Sequence, residues 1–93
     1  MTATMEVRYT IRKRLYAANI TLPTRYVDKL CKVSPDISDM VLWCLERGAA
    51  VSWVNVNGLG SEDRTRLYMA TRMNLLIESD GHYSISLAGW GGV

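Results

Sequence analysis

The sequence predicts a mainly α fold with a small β-hairpin near its C-terminal end, an α+β arrangement in one domain over residues 1–93. Three observations predict it. Ile37, Met40, Val41, Cys44 and Leu45 recur at i, i+3, i+4, i+7 and i+8, the apolar stripe of an amphipathic helix. Ser61, Glu62 and Asp63 read as a capped helix start. Asp80-Gly81 stands between runs that alternate apolar and polar residues, a strong short hairpin signal because both positions tolerate positive φ. With 48% hydrophobic and 22% charged residues, the composition is that of a globular chain and argues against disorder, collagen-like repeats and coiled coil.

The segment from Thr4 to Ala18 reads two ways. Met5, Val7, Tyr9 and Ile11 alternate like a strand, whereas Val7, Ile11, Leu15 and Ala18 fall within an arc of about 80° on a helix and leave Arg12, Lys13 and Tyr16 outside it. Helix is the preferred reading. Asn19 to Thr24 connects to a second helix through Tyr26, Val27, Leu30 and Cys31, started by Pro23 and Thr24 and ending near Lys32. Ser34, Pro35 and Asp36 open the third: a hydroxyl to cap free amides, a proline where a missing donor costs nothing, and a carboxylate at the positive dipole end. Gly48 is placed as its left-handed stop. Trp43 lies off the stripe and either widens the buried face or meets a partner.

Residues 49–60 are ambiguous, since β-branched residues suggest a strand while Ser52 is placed to cap a short helix; Asn57-Gly58 is a turn in both readings. Gly58-Leu59-Gly60 lacks the third glycine of a dinucleotide fingerprint and the Gly-Lys-Ser of a phosphate loop. The helix from Ser61 runs to about Met73, with Asn74 in the left-handed C-terminal position. Leu75 to Glu78 and Tyr83 to Leu87 form the hairpin, and the glycine-rich tail 88–93 is expected to fray, with Trp90 able to fold back onto the core.

The formal charge of +2 is unevenly spread. Residues 1–32 carry Arg8, Arg12, Lys13, Arg14, Arg25, Lys29 and Lys32 against only Glu6 and Asp28. The middle is acidic, with Arg47 against Asp36, Asp39, Glu46, Glu62 and Asp63, and the remainder carries Arg64, Arg66 and Arg72 against Glu78 and Asp80. Such a distribution suits a phosphate-binding face. No apolar run reaches the ~18 residues of a bilayer span, and the basic N-terminal segment lacks a signal-peptide apolar stretch, so the expected compartment is the cytoplasm. Cys31 and Cys44 form no CxxC pair and fit buried free thiols, or else an intermolecular disulfide. The single histidine, His82, removes every two-histidine metal motif and most nucleophile-and-base schemes. The chain is therefore read as a non-enzyme with no catalytic residue, metal or cofactor.

The order from Ser34 onward, with Asn74-Leu75-Leu76 closing a capped helix and Ile85-Ser86-Leu87-Ala88-Gly89 closing a hairpin, resembles a winged helix-turn-helix domain of the MarR-like type. Residues 34–87 would form the winged-helix core: Ser34 to Gly48 its first helix, Val51 to Asn57 a short strand and second helix, Ser61 to Met73 the recognition helix, and Ile77 to Leu87 the wing. The resemblance implies a small transcription regulator that binds duplex DNA as a homodimer. On the recognition helix Arg64, Tyr68, Thr71 and Arg72 share one side, and Arg66 snorkels, lies beyond the packed region or pairs with Glu62. Arg12, Lys13 and Arg14 would contact backbone phosphate. Residues 1–32 would be an N-terminal helical dimerisation arm, joined through Val7, Ile11, Leu15, Tyr26, Val27 and Leu30. The small, compact chain also has the look of a virus or mobile-element product.

Glu62 and Asp63 at the start of the recognition helix, a hairpin tip without Arg or Lys, and the Trp content support a second expectation. In that reading the same fold binds another protein, as phage-type inhibitors and adaptors of this size do.

Overall fold

The computed structural model describes residues 2–48, 54–87, 89 and 90, with side chains from Met5 onward. Seven elements follow in order: α1 Thr2–Ala17, α2 Thr24–Lys32, α3 Pro35–Gly48, β1 Val54–Asn55, α4 Ser61–Arg72, β2 Leu76–Ser79 and β3 His82–Ile85. The fold is mainly α with a small three-stranded antiparallel sheet at the C-terminal end.

Each helix boundary has a local cause. α1 stops where Asn19 takes φ 59°, letting the Ile20 amide donate to the Leu15 carbonyl; asparagine enters the left-handed region at little cost. α2 begins after Pro23, whose carbonyl accepts the amides of both Tyr26 and Val27. α3 is capped by the Ser34 hydroxyl, which accepts the Ile37 amide at 3.4 Å.

Gly48 differs from its expected role. It is helical within α3 rather than a left-handed stop, and a Cβ there would lie 3.4 Å from Val54 Cγ2, so its value is the close approach of α3 to β1. At α4 the capping place is held by extended Gly60, with no side-chain cap, so Ser61 is the first helical residue instead. Asn74 does take the left-handed position, at φ 61°.

The hairpin forms where the sequence places it, with Asp80 at φ 53° and Gly81 at φ 80°. Leu76 pairs with Ile85 and Glu78 with Tyr83, while β1 adds to the other side of β3 through Val54–Tyr83 and Asn55–His82. The strand order is β1-β3-β2.

One of the two readings of residues 49–60 holds over Val54–Asn55: this stretch is strand. Val54 and Val56 are buried on either side of exposed Asn55, the period-2 pattern of an extended chain. The Asn55 side chain then accepts the Asn57 amide at 2.8 Å, closing an Asx turn that works against helix. No helix lies between Val54 and Gly60, so the second helix expected within 51–57 is not formed there; Val51, Ser52 and Trp53 lie outside the described residues.

A single hydrophobic cluster joins all four helices to the sheet, including Ile11 and Leu15 of α1, Tyr26, Val27 and Leu30 of α2, Val41 and Leu45 of α3, and Leu67 and Ala70 of α4. Among the described residues, no helix is long and apolar enough to cross a membrane.

Candidate functional site

The expected dimer face is corrected by this cluster. Ile11, Leu15, Tyr26, Val27 and Leu30 are each at most 3% exposed within the single chain, so they are not surface that a second copy could cover. Of that set only Val7 is exposed. The arm expected over residues 1–32 is thus part of the core, because the apolar stripes of α1 and α2 pack on each other and on α3.

The cations divide sharply into tied and free. Arg14, expected at phosphate, is clamped onto α3. It donates through Nε and Nη2 to Glu46 at 3.2 and 2.8 Å and through Nη1 to Asp39 at 2.6 Å. The Glu46 hydrogen bonds, outweighing partial burial, push its already high pKa further up. Arg8 holds Asp28 at 2.6 Å. Arg66 pairs with Asp63 at 2.9 Å and reaches Asp36 at 3.5 Å; its acidic partner one turn back is Asp63 rather than Glu62. By contrast, among the described residues Arg12, Lys13, Arg25, Lys29 and Lys32 have no ion pair or side-chain hydrogen bond. All five stand on α1 and α2.

On α4 the four expected contact residues also separate. Arg64 spans back to the loop, donating to the Leu59 and Asn57 carbonyls, each at 3.2 Å. Half-buried Thr71 gives its hydroxyl to the Leu67 carbonyl within the helix at 2.8 Å. Tyr68 and Arg72 remain outward: Tyr68 is 55% exposed, and the Arg72 guanidinium lies 5.9 Å from its ring centroid and donates to its hydroxyl at 3.1 Å. Among the described residues Arg72 has no acidic partner, so its charge is held in place but not cancelled.

Compared with known protein families, curated proteins and solved structures, the chain matches none.

Two further features bear on the surface. The hairpin end is acidic, with Glu78 accepting the Gly81 amide at 2.9 Å and Asp80 exposed. His82 is the half-buried first residue of β3, with Nδ1 3.1 Å from the Asp80 carbonyl and Nε2 3.4 Å from Asn55 Nδ2. Trp43 is half-buried against the core with Arg47 4.6 Å from its ring centroid. Both cysteines are free: Cys44 is buried, and Cys31 half-buried. Burial pushes the Cys44 thiol up to about 12, which leaves it inert at neutral pH.

Sequence reasoning missed the contribution of α2. Arg25, Lys29 and Lys32 follow at i, i+4 and i+7 and project within about 60° of one another, opposite the buried Tyr26, Val27 and Leu30. That spacing was visible in the sequence. What it could not show was Trp90, whose indole donates to the Asn74 carbonyl at 2.7 Å and meets the Tyr26 ring edge-on at 5.5 Å, beside this stripe.

Proposed function

We propose that the chain is a small DNA-binding transcription regulator, a reduced winged helix in which α4 faces the groove and the cations of α1 contact backbone phosphate. The observation that carries the reading is the Tyr68–Arg72 pair, an exposed guanidinium braced by its own neighbour and not neutralised by an acid among the described residues. Arginine so presented bonds guanine edges or phosphate bidentately. Arg12 and Lys13 supply backbone contacts, while Arg14, Arg64 and Thr71 serve the fold. The acidic hairpin end stands away from the duplex in this reading, and a homodimer supplies the second half-site.

The test is duplex binding across a salt series, with Arg72→Ala and Tyr68→Ala compared with the parent. An affinity that does not change with salt, or that ignores both substitutions, removes the reading.

A second reading, docking on another protein, is favoured by the outer face of α1. Met5, Tyr9 and Tyr16 are 72%, 68% and 88% exposed and project with Arg12 and Lys13 within about 100°. Tyrosine beside arginine is a frequent interface anchor. Tyr9→Ala with Tyr16→Ala separates the readings: loss of a protein complex with unchanged DNA binding selects this one.

A further inference from the structure

α2 carries more free positive charge than its fold requires. Arg25, Lys29 and Lys32 line a groove of about 250 Å³ together with Asp28 and Trp90, and Asp28 is already held by Arg8. Among the described residues the groove is therefore net cationic. Among the described residues none of the three has an ion pair or side-chain hydrogen bond.

Trp90 is fixed rather than loose. Its Nε1 bond to the Asn74 carbonyl and its edge contact with Tyr26 hold the indole as a wall. The same Asn74 follows α4 directly, two residues after Arg72, so the groove opens next to the C-terminal end of the helix that carries the Tyr68–Arg72 pair.

We propose that this groove seats a backbone phosphate of a nucleic-acid strand, its oxygens taken by Arg25, Lys29 and Lys32 and the adjoining sugar and base laid against Trp90. Charge fits the phosphodiester, since three unpaired cations in a row match an evenly charged backbone better than an isolated anion. The flat indole beside them fits a ribose or base face. The proposal takes its partner from the nucleic-acid reading above, but its residues are different ones, so the two can fail separately.

The experiment is fluorescence titration of the full chain with a short duplex, a single strand of the same sequence, polyglutamate and anionic vesicles. Parent, Lys29→Gln/Lys32→Gln, Trp90→Phe and Tyr68→Ala/Arg72→Ala are compared after circular dichroism shows the same helix content. Nucleic acid is expected to change the tryptophan emission, and Trp90→Phe to abolish that change. The lysine pair is expected to lower the slope of log affinity against log salt by about 0.9 for each phosphate contact removed. Duplex binding that the lysine pair leaves intact but Tyr68→Ala/Arg72→Ala destroys overturns the groove and keeps the α4 reading. The reverse pattern supports the groove and removes α4. Absence of binding to either nucleic acid overturns both, and an equal response to polyglutamate or vesicles overturns the assignment to a phosphodiester.

Discussion

The Tyr26 hydroxyl, buried on α2, donates to the main-chain carbonyl of Leu75, 49 residues away, at the point where α4 gives way to β2. The same carbonyl also accepts the Ser86 amide at 3.2 Å. One buried oxygen thus joins α2, the exit of α4 and the end of the hairpin. Replacement by phenylalanine keeps the ring and its contact with Trp90, and Ser86 still satisfies the carbonyl. Tyr26→Phe is expected to cost only about 0.5–1.5 kcal/mol, read as a lower urea midpoint with an unchanged slope.

Arg14 and Arg12 lie on the same helix and are expected to behave oppositely. Arg14→Gln releases Asp39 and Glu46 and loosens α1 from α3. Because the pair is partly exposed, the loss should be no more than about 1 kcal/mol and should shrink in high salt. Arg12→Gln should leave stability within about 0.5 kcal/mol and weaken nucleic-acid binding. Equal effects of the two on thermal unfolding would contradict this division.

Stability should decline at alkaline pH. The folded Cys44 thiol is raised to about 12 from an ordinary 9.0 by burial, and burial likewise raises the Tyr26 hydroxyl, with an added push from Cys44. The unfolded chain therefore releases these protons first. Stability is fully present below about pH 9 and is lost as pH rises beyond it, at up to about 1.4 kcal/mol per pH unit for each group. Cys44→Ala should flatten the first part of that decline in a series of denaturation curves, although it lowers the whole curve through lost packing.

At the hairpin turn the cost of a side chain can be isolated. Gly81 stands at φ +80°, and a Cβ there would meet nothing within 4 Å. Gly81→Ala should destabilise by about 1 kcal/mol through backbone strain alone, measured by thermal unfolding, and should not change nucleic-acid affinity under conditions where the protein remains folded.

The α4 arginines provide the sharpest functional contrast. Arg72→Ala should lower duplex affinity by about 1–3 kcal/mol. Arg64→Ala, which frees the Asn57 and Leu59 carbonyls to solvent, should change the loop ahead of α4 and leave the salt dependence of binding where it was.

Local chemistry made much of this fold legible. Ser34-Pro35-Asp36, Asn74 and Asp80-Gly81 each act within a few residues, and each does in the structure what its neighbours imply. The apolar stripe containing Ile11 and Leu15 was equally visible, but periodicity identifies a buried face without saying whether the cover comes from the same chain or another. Here α2 and α3 supply it, so the face expected for a dimer is core. The fate of each arginine was hidden for a similar reason: Arg14 and Arg12 differ only in the acids that a distant helix brings near. Val54 to Asn57 remained open because β propensity and capping chemistry competed there, and pairing with β3 decided it.

The placement of β1 on the far side of β3 has a kinetic consequence. β2 and β3 are neighbours in sequence and can close through a two-residue turn within microseconds. Val54 and Asn55 have no strand to pair with until that hairpin exists, and must find it across the whole of α4. Closing that longer loop costs more chain entropy, a cost that grows with the logarithm of its length, and so delays the contact. Amide exchange at Val54 and Asn55 should therefore become protected after the hairpin amides during refolding, with the two-residue strand as the last part of the sheet to form.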